Sequence, residues 1–452
     1  KALILVSLIL ASTFLNANAE SIFIAELVAE GARSPDGNNI FEGRFPYGSN
    51  EITSLGLRQQ YLVGYDLRTN YGDSLGLEKT YSPWQVNIRS TNHNMTLMGA
   101  QAQLEAIFPP NTRGDLTESQ AALAIPPGEN DSIQDDIKNL KNKIMPLNFQ
   151  TLPIHSFDFE KDTVLMSDWC SKISEINKRN VNEEAWTTEI SEKYSEALTA
   201  FRTFLGKEDM TIHEIYPHID ALSATIFNLD SVKDLKKYQE ALQAFGFEYL
   251  QKYWSDAESL RIYSNGFFTD LQRYLVDSTK QYDDQEVDNY NQMKMSLYFG
   301  TLESVYVISR QLGFEHTSLP AFSSQLLFHL TKDNENGFMV SATYNKIPIK
   351  LGGECKDVEL CALNSFNSFV NTLTADVSEL SGCEPQEGLM FLNAQGEAIE
   401  NTEALEFILL LCILAFFALL VGGLLGHKAA QNENKKRRIR VNVFDQESLL
   451  QN

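Results

Sequence analysis

The sequence predicts an α/β fold in which a central mixed sheet is flanked by helices and a helical cap is inserted between the two halves of the core. Three observations carry this. A short apolar run, Ser21 to Val28, ends in a glycine-containing turn and reads as a buried strand. Short strand-like runs alternate with amphipathic helical ones after it, and strands return from Lys294 onward. Between these two regions, from Cys170 to about Glu286, the periodicity changes to long amphipathic helices with few strands.

Taken in order, Glu51 to Tyr71 carries Leu55, Leu57, Tyr61, Leu62, Tyr65 and Leu67 at near-helical spacing, which predicts a helix laid on the sheet. Trp84 to Arg89 reads as a strand, followed by a helix that runs to Phe108 and is stopped by Pro109-Pro110. Asn111 to Leu147 is polar, too long for an ordinary connection, and expected to be a surface insertion. In the cap, Asn182 to Leu205, Lys233 to Trp254 and Glu258 to Leu275 are predicted helices, and Tyr238, Phe245, Phe247, Tyr249, Tyr253 and Trp254 are expected to pack between them. Lys294 to Gly300 reads as a strand leading into a helix from Ser304 to Leu312. Gln325 to Thr331 and Phe338 to Tyr344 form a hairpin around Asp333-Asn334-Glu335-Asn336-Gly337.

The two ends read differently from this body. Lys1 to Ala19 is an apolar run behind one lysine that finishes in the small-x-small pattern Ala17-Asn18-Ala19, the signature of a secretory signal peptide. Phe407 to Leu425 carries no charge, is long enough to span a bilayer, and is followed by Lys428, Lys435, Lys436, Arg437, Arg438 and Arg440, which places the tail in the cytosol. The expected organisation is therefore a signal peptide over residues 1–19, core halves over 20–160 and 291–403, and a cap over 161–290. A membrane helix over 404–426 and a cytosolic tail over 427–452 complete a single-pass type I protein whose large domain is lumenal or extracellular. The ending Asp445-Gln446-Glu447-Ser448-Leu449-Leu450 resembles an acidic dileucine sorting signal, so an endosome, a lysosome or the cell surface is the expected location.

The net charge is −23, and the basic tail means that the body is more acidic still, which argues against nucleic acid as a partner. Cys412 lies in the apolar span. Cys170, Cys355, Cys361 and Cys383 form an even set that suits two disulfides in an oxidising compartment, and no CxxC pair with matching histidines suggests zinc. No cofactor is indicated. Asn130-Asp131-Ser132 and Asn94-Met95-Thr96 are sequons, the first in the insertion and the second on a helix.

The stretch Leu27-Val28-Ala29-Glu30-Gly31-Ala32-Arg33-Ser34-Pro35 resembles the RHGxRxP signature of the histidine acid phosphatases. Arg89 to Pro110 resembles the RSTxxxRTLxSAxAxLxxLFPP segment of that family's prostatic and lysosomal members, with Met95 in place of its second arginine, and Asn148 to Ser156 resembles its NWQPIPVHT strand, which implies a strand here. The resemblance implies a histidine-phosphatase-like sheet, disulfides pairing Cys170 with Cys383 and Cys355 with Cys361, phosphate-binding roles for Arg33 and Arg89, and a dimer.

It also places Ala29 and Glu30 where the family carries its first arginine and its nucleophilic histidine, and Thr301 and Leu302 where it carries a His-Asp pair that binds phosphate and protonates the leaving group. Threonine and leucine have no proton to exchange for this purpose. A carboxylate about 4 Å from a phosphate charge costs on the order of 4 kcal/mol at an effective dielectric near 20, roughly a thousandfold in affinity. Glu30 is therefore expected to form an internal salt bridge with Arg33 or Arg89.

The function expected is that of an inactive family member whose ectodomain binds a protein partner, or an anionic or phosphate ligand through Arg33 and Arg89. The alternative is an acid phosphatase working through a non-aligned nucleophile. His93 beside Arg89 is one candidate, His155 in the following segment a weaker one, and Glu30 itself a third, although carboxylate nucleophiles normally accompany a magnesium site that is not evident. An insertion in the helix would bring Glu303 to the position of the acid.

Overall fold

In the computed structural model the described residues are 19–36, 45, 48–125, 134–229, 232–284, 286–356 and 358–383. The expected signal peptide, the Asn130 sequon, the Phe407 to Leu425 span and the tail lie outside them, apart from Ala19. Among the described residues no helix is long and apolar enough to cross a membrane.

Strand β1 (Glu20–Val28) is the centre of the sheet, because its residues from Phe23 to Val28 are wholly buried and it has neighbours on both sides. The sheet also contains β2 (Val86–Ser90), β3 (Met295–Phe299), β4 (Gln325–Asp333), β5 (Gly337–Tyr344), β6 (Ile347–Pro348) and β7 (Cys361–Ala362). Its order is β2-β3-β1-β4-β5-β6, with β7 also paired to β5. β1 runs parallel to β3 and β3 parallel to β2, whereas β4 is antiparallel to both β1 and β5. The sheet is thus mixed, and the register Val28↔Phe299 and Ser90↔Phe299 brings the carboxyl ends of three parallel strands level with one another.

Helices α1 (Ser54–Tyr71), α2 (Asn94–Ile107), α3 (Glu118–Leu123) and α4 (Gln134–Leu140) belong to the first half. The cap holds α5 (Ser171–Val181), α6 (Glu184–Lys193), α7 (Ser195–Leu205), α8 (Ile212–Leu229), α9 (Gln239–Tyr253) and α10 (Ala257–Asp283). The second half adds α11 (Leu302–Gln311), α12 (Leu363–Asn371) and α13 (Val377–Leu380). Two apolar centres result. One packs Ile24, Val28, Ile88, Leu104, Leu297 and Phe299 around the sheet, and the other packs Leu198, Phe201, Ile215, Ile219, Leu222 and Phe245 inside the cap.

Four expectations are corrected. Most of the stripe on α1 does not face the sheet: Leu55, Tyr61, Leu62 and Tyr65 are 41–58% exposed, while Gly56, Gln60, Gly64 and, from the stripe, Leu67 are buried. A Cβ on Gly64 would lie 2.2 Å from the Gln103 carbonyl oxygen, so backbone proximity to α2, not apolar spacing, sets the buried face. Asn148 to Ser156 is not a strand. Only His155 pairs with the edge of β2, taking its N–H to Ile88 and accepting from Ser90, and Pro153 just before it has no N–H to offer. The 182–205 helix is broken at Tyr194 into α6 and α7, and the 233–254 helix begins only at Gln239. Helix α8 was not anticipated at all, although Ile212, Ile215, Ile219 and Leu222 sit on one helical face, because Pro217 lies within it.

Both disulfides implied by the resemblance are formed: Cys170 to Cys383 across 213 residues and Cys355 to Cys361 across 6. Replacing Cys170 and Cys383 together by serine should lower stability by roughly 2–5 kcal/mol in denaturant titration, since the closed loop is long.

Glu26, on β1, is fully buried and accepts from the side-chain amides of Gln103 and Gln325. Burial raises its pKa to about 7, against the opposing pull of the two amides. A carboxyl that holds its proton more tightly when folded adds stability at low pH, and that stability is lost as pH rises through the folded value. From about pH 8 down to about pH 5 this one group should add up to about 3 kcal/mol, and Glu26→Gln should flatten that part of the thermal-stability profile.

Candidate functional site

The turn that follows β1 is held from several sides. Ala29 N–H donates to Ser324 O, Gln60 Nε2 donates to Ala29 O at 2.7 Å, and Ser323 N–H donates to Glu30 O. A Cβ on Gly31 would fall 2.5 Å from the Gly56 carbonyl oxygen, so only glycine lets this turn seat against the start of α1.

So placed, Glu30 is 3% exposed and its two carboxylate oxygens have separate partners. Oε1 accepts from Arg33 Nε at 3.1 Å, and Oε2 accepts from the backbone N–H of Leu302 at 2.8 Å. That N–H is the first of α11, so the carboxylate sits where a helix start attracts an anion. Arg33 Nη2 reaches both oxygens of Asp220 on α8 at 2.8 Å, and Nη1 donates to Ser34 O. Burial lifts the Glu30 carboxyl above the ordinary range, and the Arg33 guanidinium pulls it partly back. Burial works to discharge Arg33, but Asp220 and Glu30 outweigh it and hold the guanidinium charged.

Thr301 caps α11, its hydroxyl accepting from Ser304 N–H, and Leu302 contributes its backbone N–H. The carboxyl that lines the cleft from this helix is Glu303. Burial raises its pKa, and the hydrogen bond from Trp254 Nε1, at 2.9 Å, only partly offsets this.

Arg89 is engaged elsewhere. Its Nη2 donates to the buried Asp162 at 2.7 Å, its guanidinium lies 4.4 Å from the Phe157 ring centre, and it is not among the residues lining the cleft around Arg33. His93 does line the cleft, at the cap position of α2, with its ring 4.6 Å from that of Phe159. Burial and the charge of Arg33 lower its pKa and favour the neutral imidazole. His155 only covers the edge of β2 with its backbone. Asn94 is exposed but its amide donates to Glu51 Oε1 at 2.7 Å.

Glu30, Arg33, His93, Asp220 and Glu303 line a cleft of about 1010 Å³ between the strand ends and the cap. Phe245 and Tyr249 pack within the cap and Trp254 is buried, as expected, but Phe247 lines the cleft. Sequence reasoning did not find Asp220, Asp162 or the link from Trp254 to Glu303. Among the described residues no group of three or more His, Cys, Asp or Glu side chains is arranged to hold a metal.

A mixed α/β sheet with a capped cleft at its parallel strand ends places a ligand site where such sheets commonly carry one. Residues 23–345 match the family model of the histidine phosphatase superfamily (branch 2), and the chain belongs to that family. It is 27% identical to prostatic acid phosphatase of Bos taurus over 189 residues, 40% of this chain and 39% of that protein. It is 34% identical to human lysosomal acid phosphatase over 93 residues, 20% of this chain and 22% of that one. The matched stretch thus spans about two-fifths of the prostatic relative and less of the lysosomal one. The phytase from Citrobacter braakii superimposes with a TM-score of 0.55 at 12% identity, covering 81% of this chain and all of the phytase, which establishes the shared fold.

Removing one partner of the buried pair should be costly. Arg33→Met, which leaves Glu30 buried and unpaired, should lose about 3–5 kcal/mol, and adding Glu30→Gln should recover more than half of it in urea unfolding.

Proposed function

We propose that this chain is a catalytically inactive member of the histidine acid phosphatase family. On this reading it is a single-pass type I membrane protein whose lumenal or extracellular domain binds a ligand or protein partner through the old cleft or the cap. The resemblance to the RHGxRxP signature puts a carboxylate at the nucleophile's position. The observation that carries the reading is that this carboxylate, Glu30, is bonded to both Arg33 and the start of α11. An incoming phosphate would have to displace Glu30 and Asp220 from Arg33 and then sit beside their charges. The anionic ligand expected from Arg33 and Arg89 faces the same obstacle, because Arg89 is paired with Asp162. A membrane contact through the apolar span, a homodimer and an endosomal, lysosomal or cell-surface location belong to the same proposal.

A second reading keeps hydrolysis, and one observation favours it. A neutral imidazole at His93 and a carboxyl with raised pKa at Glu303 line the same cleft, which is the nucleophile and acid pairing that phosphoryl transfer uses. The two readings separate in one assay. The purified chain should release no phosphate from p-nitrophenyl phosphate, from acid to neutral pH, above the level of a Glu30→Ala control. Turnover with a trapped phosphoenzyme, both abolished by His93→Ala, would establish the second reading instead.

A further inference from the structure

The charge of the cleft is the reverse of what a phosphate needs. Glu30, Asp220, Glu240, Glu248 and Glu303 line it, and among the described residues that line it Arg33 is the only arginine or lysine. Glu248 is held at one side by Lys193 and Tyr194. Glu30 and Asp220 share the single guanidinium of Arg33, and the Asp220 side chain is still 43% exposed. Glu303 has a neutral donor, Trp254, in place of a cation. Tyr216 lines the same cleft, and burial first, then the charges of Glu303 and Asp220, push its hydroxyl's pKa up. The rest of that wall is largely apolar, with Phe227, Phe247 and Phe322. Ser223, also on the wall, has a buried hydroxyl oxygen without a hydrogen-bond partner, an acceptor suited to an N–H donor.

A large cleft with an apolar wall and an excess of carboxyl groups stabilises one kind of occupant: a positive nitrogen on an apolar stem, with the nitrogen met by carboxylates and the stem covered by aromatic rings. We propose, building on the inactive reading above, that the cleft binds an organic cation whose amino or guanidino group lies between Asp220 and Glu303. The same chemistry is found in a free polyamine and in a lysine or arginine side chain of a peptide.

The experiment is calorimetric titration of the full chain with spermidine, with an end-blocked arginine peptide, with fully acetylated spermidine and with inorganic phosphate. At least one of the two cations should bind, which also identifies the source, and the acetylated compound and phosphate should not. Asp220→Asn and Glu303→Gln should each weaken the cation by about tenfold or more. The proposal is overturned if neither cation binds, if the acetylated compound binds as tightly, or if variants with native circular dichroism leave the affinity unchanged. The neutral-analogue comparison uses the unaltered chain and decides the matter even if a variant fails to fold. Phosphate release in the assay above would overturn the inactive reading; absence of both phosphate release and cation binding would overturn this inference alone.

Discussion

A carboxylate buried at the end of the central strand can be kept only if its lost hydration is replaced, and this constraint organises the region where core and cap meet. Glu30 obtains that replacement from Arg33 and from the first N–H of α11. Arg33 in turn draws in Asp220 from the cap. Asn228, about two turns further along α8, adds an amide that donates to the Arg33 carbonyl and accepts from the Thr53 hydroxyl. One ion-paired network thereby ties together β1, α11 and α8, elements far apart in the chain, and cap position becomes part of the chemistry of the strand end.

The elements legible in the sequence are those whose own residues decide them. The apolar run of β1, the hairpin of β4 and β5 with its Asp333 and Gly337 turn, and the stop at Pro109 need no knowledge of the rest of the fold. What misled the reading was contact between elements. The Leu and Tyr stripe of α1 looks like a buried face, yet the glycines opposite it are what allow two helix backbones to meet, so close packing overrode the hydrophobic spacing. In α8, an internal proline masked a regular Ile and Leu repeat.

The same distinction runs through the cleft. The residues brought there by the strand ends, Glu30, Arg33, Thr301 and Leu302, were found from their spacing relative to a signature, and the salt bridge between the first two was expected on electrostatic grounds. Asp220 and Asp162, which decide how much charge the two arginines can offer, lie 187 and 73 residues from their partners and stand in no recognisable motif. Family membership explains the shape of the cleft. Its charge is set by side chains that the signature does not include.

The bond between Cys170 and Cys383 has a mechanical consequence. It fastens the last described residue to the start of α5, so tension transmitted along the downstream chain would be borne by a covalent link into the cap. The short terminal helix α13 and the small strands near it would be spared that load.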